Sequence, residues 1–184
     1  MPLITRRRLL AAAVAFPVVG TALAHPRPLT CGVITPRQTE GPFFTPRSPL
    51  RASLVEAGAK APRMLVTGRV LSSQCNLVAN ALVDLWHADE EGAYDNKGYR
   101  YRGHQFTDAQ GRYQFETIVP ALYPGRARHY HVKVQPKGGR VLTTQLYFPG
   151  DPGNRRDGLY RPELELKTSK SGEGAFDFVV DLTG

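Results

Sequence analysis

The sharpest chemical feature of this 184-residue chain is His129-Tyr130-His131. On a β-strand, residues two apart project from the same face. The two imidazoles would then stand side by side, opposite an apolar face made by Tyr130, Val132 and Val134. Such a pair suits two cis ligands on one metal ion; it is also the pattern of two solvated histidines on a polar strand face. Imidazole accepts several transition metals, so the pair alone selects none. The other donors narrow the choice. Apart from Cys31 and Cys75 there is no thiolate set for zinc, and no acidic residue stands beside the histidines to complete a facial triad for iron(II). Tyrosines are plentiful, eight in all. A phenolate is a hard anionic donor, and a trivalent cation would lower the phenol pKa and hold it ionised. Two phenolates with two imidazoles would favour iron(III) over iron(II) by charge. Tyr123 lies six residues before His129 across a Pro-Gly turn, and Tyr94 lies in a loop after the segment ending near Trp86. Spacing does not single these two out, because most tyrosines are packing residues with a hydrogen-bonded tip.

The elements that must position these groups read as β-strands. Met64 to Leu71 places Met64, Val66 and Val70 on one side, and Asn80 to Trp86 places Ala81, Val83 and Leu85 on one face. Arg112 to Ile118 turns Tyr113 and Phe115 inward, Val141 to Phe148 is strand-like, and Ala175 to Leu182 aligns Phe176, Phe178, Val180 and Leu182. A period of two over such runs is the strand signature. Thr107 to Gly111 is a turn. His25 to Pro49, rich in Pro, Thr and Gly, reads as an extended N-terminal arm, and Leu50 to Lys60 as one or two helical turns. Gly150 to Pro162 and Ser169 to Gly174 are loops. Short strands with almost no helix predict an all-β fold, a sandwich or barrel of mostly antiparallel strands with long loops around the site.

Four ordered segments together resemble the intradiol ring-cleavage dioxygenases, the family of protocatechuate 3,4-dioxygenase and catechol 1,2-dioxygenase. They are Thr39-Glu40-Gly41-Pro42-Phe43-Phe44; Leu85-Trp86-His87-Ala88-Asp89 through Gly92-Ala93-Tyr94; Tyr99-Arg100-Tyr101-Arg102-Gly103 running to Gly111-Arg112-Tyr113; and Tyr123-Pro124-Gly125-Arg126 through His129-Tyr130-His131. The resemblance runs from about Thr35 to Phe148. It implies a β-sandwich and one non-haem Fe(3+) per subunit, held by Tyr94, Tyr123, His129 and His131. It implies a catechol-type small molecule and O2 as substrates, cleaved to a muconate-type product. Tyr123 would leave the metal and help take a substrate proton, while Arg126 and Gln145 would stabilise negative charge on the ring. Pro42, Phe43 and Arg102 are candidates for the pocket wall. The chain departs from the best-known members in its short Tyr123-to-His129 loop and in showing no long helical N-terminal region of the kind that joins catechol 1,2-dioxygenase dimers. The identity of the catechol and the number of subunits therefore stay open, a homo-oligomer included.

Residues 1–24 read as a signal peptide to be set aside from the fold. Arg6, Arg7 and Arg8 precede an apolar run that ends in Ala22-Leu23-Ala24. Thr5 to Leu10 resembles a twin-arginine signal, a route that carries folded proteins and would suit a cofactor loaded before export; an ordinary secretory signal is the alternative. Residues 25–184 are then expected as one domain, periplasmic or secreted. The full chain carries 24 Lys+Arg against 16 Asp+Glu; removal of the three leader arginines leaves 21 against 16, a net of +5. These positive residues are scattered, which argues against a nucleic-acid footprint, and no long apolar run in the body predicts a membrane span in the mature form. Cys31 and Cys75 are a disulfide candidate in an exported protein, with two free thiols as the alternative. Two rival readings share the fold. One is a transthyretin-like β-sandwich module without chemistry. The other is a copper protein using His129 and His131, with His87 or His104 as an optional further ligand.

Overall fold

The computed structural model describes residues 31–183, so the expected leader lies outside the described residues. Among the described residues nine strands form two sheets: β1 Arg63–Ser72, β2 Leu82–Trp86, β3 Arg102–Phe106, β4 Arg112–Ile118, β5 His129–Gln135, β6 Leu142–Tyr147, β7 Lys167–Thr168, β8 Glu173–Ala175 and β9 Phe178–Val180. One sheet runs β4-β1-β8-β7, with β9 also paired to β1; the other runs β3-β2-β5-β6. The second sheet is antiparallel throughout, whereas β1 pairs in parallel with β8 and β9. Among the described residues the only helix is the 3-10 turn Pro162–Leu164, and no helix is long and apolar enough to cross a membrane.

The alternation read from the sequence is the alternation that packs. Val66, Val70 and Phe115 of the first sheet meet Val83, Leu85, Tyr130, Val132 and Val134 of the second, all fully buried. Removing so much apolar surface from water drives the two sheets together. The expected helical turns at Leu50 to Lys60 are instead an extended segment. Arg51 N donates to the His104 carbonyl (3.1 Å) and Leu54 N to that of Glu116 (2.8 Å), so the segment bridges the edges of β3 and β4. Burial of Leu54 and these edge hydrogen bonds override a weak local helical preference. The run from Ala175 to Leu182 is interrupted between β8 and β9, because Asp177 Oδ1 takes the Arg69 N–H (2.9 Å) where a ladder carbonyl would stand. Leu182, expected in line with the core, is exposed. Strand β3 has no clear alternation, and its Arg102 is buried.

The arm lies along the second sheet. Ser48 Oγ donates to Asp84 Oδ1 (3.0 Å) and sits 3.1 Å from His104 Nδ1. Lys133 pairs with Glu40 and stands over the Phe44 ring at 3.8 Å. Burial raises the Asp84 carboxyl to about 6, against the opposing Ser48 bond and the charges of His104 and Lys133. A carboxyl raised on folding favours the folded state below about pH 4, and that contribution is lost as pH rises through about 6. Asp84→Asn should therefore raise stability by roughly 2 kcal/mol at pH 7.5 and by little at pH 4. Thermal melts at the two pH values check this; an equal shift at both would contradict it.

Cys31 and Cys75 form a disulfide, with Cα atoms 5.4 Å apart and a sequence separation of 44. It fastens the start of the arm to the turn after β1. Closing a loop of this length restrains the unfolded chain by about 4 kcal/mol in the entropic account. Cys31→Ser with Cys75→Ser is expected to lower Tm by roughly 10 °C, and an unchanged Tm would show that the arm gains nothing from the tether.

Candidate metal centre

The site forms where β5 begins, at the end of the second sheet. His129 and His131 share one face of β5, opposite Tyr130 and Val132. That face is covered, not solvated: His129 and His131 are 4% and 3% exposed. Gly41 of the arm lies against the His131 ring, and Trp86 of β2, directly across the ladder, stacks on it at 4.9 Å and 8°. The two Nε2 atoms are 3.1 Å apart, and Tyr94 Oη is 3.2 Å from His129 Nε2.

Two loops bring the tyrosines in. The Tyr94 loop follows β2 and is fixed on both sides by aspartates. Asp89 Oδ1 accepts the N–H of Glu91 (3.0 Å) and Ala93 (2.8 Å). Asp95 accepts those of Lys97, Gly98 and Arg100, which hold its carboxyl down at about 2. Arg102, expected in the pocket wall, is buried and donates to the Asp95 and Phe43 carbonyls, tying the loop to the arm. The Tyr123 loop turns at Tyr123-Pro124-Gly125-Arg126. Arg126 N donates to the Tyr123 carbonyl (3.0 Å), with Gly125 at φ +80 where a turn with Pro first and Gly second needs a positive φ. The loops abut at Gly92, where a Cβ would fall 2.4 Å from the Leu122 carbonyl oxygen. The Tyr123 ring meets Tyr94 edge-on at 5.8 Å, and Phe43 stacks on Tyr94 at 4.6 Å. Tyr123 is half-buried, and its hydroxyl makes no hydrogen bond among the described residues.

Arg126 and Arg128 separate cleanly. Arg128 turns away to Asp151 (2.7 Å). Arg126 Nε donates to Asp157 Oδ2 (2.9 Å) and Nη2 to Gln145 Oε1 (2.6 Å). Gln145 is fully buried on β6, directly across from His131, and its Nε2 donates to the Thr39 carbonyl (3.1 Å). Trp86, part of the second motif but given no role there, and Asp157, outside all four motifs, also belong to this site. The alternation of Asn80 to Trp86 placed Trp86 on a face; nothing local marked Asp157, which reaches the site from a distant loop.

The donor set fits a metal ion. His129 Nδ1 lies 2.7 Å from the Ala127 carbonyl, which fixes the proton there and leaves the Nε2 lone pair facing His131 and Tyr94. Burial lowers the His129 imidazole to about 4 and that of His131 well below its ordinary value, so both present neutral nitrogen. Burial raises the Tyr94 phenol, opposed by the charges of Arg126 and Arg102; ionising it calls for a cation close by. Imidazole nitrogens bind metals at about 2.0–2.1 Å, so cis ligands at right angles lie about 3 Å apart, the spacing found between the two Nε2 atoms. Among the described residues no group of three or more His, Cys, Asp and Glu gathers as a metal site. The oxygen donor beside the histidine pair is Tyr94. His87 is engaged with Thr117 (2.6 Å) and His104 with Ser48, so neither joins the histidine pair as a further imidazole.

A protein-family model described as Dioxygenase matches residues 39–179, three quarters of the chain. The chain belongs to the intradiol ring-cleavage dioxygenase family. It is 39% identical over 152 residues to the protocatechuate 3,4-dioxygenase beta chain of Burkholderia cepacia, covering 66% of this chain and 65% of that one. It is 31% identical to catechol 1,2-dioxygenase 2 of Acinetobacter lwoffii, covering 77% and 64%. The chain thus spans just under two thirds of these curated relatives. Among solved structures, the dioxygenase domain of a dioxygenase carbohydrate-binding protein fusion from Streptomyces sp. SirexAA-E superposes with a TM-score of 0.78 at 49% identity, covering 82% of this chain and all of that one. The intradiol relatives act on catechol-type rings, and the matched span contains all four motifs and the whole candidate metal centre.

Proposed function

We propose that this protein is a non-haem iron(III) dioxygenase that opens a catechol-type ring between its two hydroxylated carbons, placing both atoms of O2 in a muconate-type dicarboxylate. The observation that carries the reading is the position of His129 Nε2, 3.2 Å from Tyr94 Oη and 3.1 Å from His131 Nε2, beside a tyrosine whose hydroxyl makes no hydrogen bond among the described residues. Tyr94, Tyr123, His129 and His131 would hold the ion, one per subunit. Ferric iron, when bound, supplies Lewis acidity and a path for electron density between catecholate and O2. Tyr94 and the histidines stay in place, anchored by the Asp89 turn, the Ala127 carbonyl and the Trp86 stack. Tyr123, on a loop and with no hydrogen bond to its hydroxyl among the described residues, would take a catechol proton on its phenolic oxygen. Arg126 stays protonated and presents a rigid donor fork; with Gln145 it stabilises charge developing on the ring oxygens, the role of preorganised donors. The walls of stacked Phe43 and Tyr94 shield the aromatic face from water. Catechol, protocatechuate, hydroxyquinol and chlorinated catechols are the substrate classes to compare.

The test is product analysis after incubation of iron-loaded protein with that panel under 18O2. A dicarboxylate carrying two labelled oxygens is expected from at least one member. A semialdehyde from cleavage beside the diol, or no turnover across the panel, would overturn the reading. We further propose export by the twin-arginine route. Replacing Arg6 and Arg7 with Lys should trap the protein in the cytoplasm, and unaltered export would reassign it to general secretion.

A further inference from the structure

Asp157 comes from the loop after β6, far in sequence from the four motifs, yet its side chain is 1% exposed and points at the site. Three donors converge on its two oxygens. Oδ2 accepts from Arg126 Nε (2.9 Å) and Ala127 N (3.0 Å), and Oδ1 from Leu159 N (2.9 Å). The carboxylate itself is held from behind, because Asp157 N donates to the Gly153 carbonyl and Tyr160 N to that of Asp157. A fixed acceptor on Nε sets the plane of a guanidinium, which is rigid and forked. With that plane set, Nη2 meets Gln145 Oε1 at 2.6 Å, while Nη1 has no hydrogen-bond partner among the described residues. The same carboxylate pins Ala127, whose carbonyl holds His129 Nδ1.

We propose that Asp157 is a positioning residue for ring cleavage, acting through Arg126; this rests on the iron dioxygenase reading above. It fixes the guanidinium so that Nη2 stays with Gln145 Oε1 and the Tyr147 hydroxyl (3.4 Å) and Nη1 points to where substrate charge develops. Without it, Arg126 keeps its charge and loses its aim. Catalysis is sensitive to such misplacement, and a displacement of about 1 Å can cost on the order of 10²-fold.

The test pairs a kinetic cycle with a direct reading of the ion pair. Asp157→Asn keeps the size; its one oxygen can still take the Leu159 amide, while its NH2 replaces the acceptor shared by Arg126 Nε and Ala127 N, and the loop keeps its backbone bonds through Asp157 N and Tyr160 N. In the iron-loaded enzyme it should lower kcat about 10–100-fold with KM changed less than about threefold. In an Arg126→Ala background the same change should alter kcat less than about twofold, because two groups that act as a unit are not additive. Equal losses in both backgrounds would mark Asp157 as a general structural support and overturn the proposal, as would no loss in either. Independently, the Arg126 Nε–H resonance of the 15N-labelled metal-free protein should be slow to exchange in the parent and fast in Asp157→Asn. That signal reads the pairing whether or not the protein cleaves a catechol. Fast exchange in the parent would overturn the positioning claim alone; protected exchange with no turnover on any catechol would overturn the reaction instead.

Discussion

Replacing His129 with alanine is expected to empty the metal centre. Iron per chain after loading and desalting should fall from about one to below about 0.1, and ring cleavage by at least ~10³-fold. Loss even of an outer partner of a metal ligand costs about 10–100-fold in affinity, and His129 is a proposed ligand whose proton position is already fixed by the Ala127 carbonyl. The fold should persist. His129 lies at the entry of β5 on the face away from Tyr130, Val132 and Val134, which carry the sandwich core. His104→Ala is the control, since its ring is engaged with Ser48 at the far part of the sheet; it should retain iron. Full iron occupancy in His129→Ala, or loss of iron in His104→Ala with His129 intact, would remove the proposed ligand set.

Tyr123→Phe is expected to separate metal binding from turnover. Its ring is packed against Tyr94 and Phe43, contacts that phenylalanine preserves, while the hydroxyl is bonded to nothing else in the described protein. Iron content should stay above about half, and kcat/KM should fall by about 10²–10⁴, the range of a lost general base. Stopped-flow mixing with catechol in the absence of oxygen would locate the loss in substrate loading. Tyr94→Phe should behave differently and lose iron, because Tyr94 Oη sits 3.2 Å from His129 Nε2. Equal effects of the two substitutions would contradict the division of labour between an anchor and a departing base.

The fold was legible wherever one strand face met the core. Val83 and Leu85, Tyr113 and Phe115, and Tyr130 through Val134 alternate because a half-buried strand must, and each packs as its period predicts. Legibility failed where pairing came from far away. Leu50 to Lys60 takes its hydrogen bonds from His104 and Glu116, and the break at Asp177 depends on Arg69; neither partner is visible in a local window. The site divides in the same way. His129 and His131 were readable from strand geometry, whereas Tyr94 and Tyr123 needed the family motifs, because spacing cannot show that two loops meet at Gly92. Arg126 could be told from Arg128 only by motif, and the structure gives the physical reason: one faces Gln145 and the other Asp151. Asp157 had no signal at all, being an ordinary loop aspartate until the fold carries it to Arg126.

The most direct test is the visible spectrum of the iron-loaded protein, recorded before and after catechol is added without oxygen. Phenolate bound to iron(III) gives a wine-red charge-transfer band, which should move to longer wavelength as catechol binds. A colourless protein, or a band that catechol leaves unmoved, would contradict a tyrosine-held ferric centre that receives the substrate.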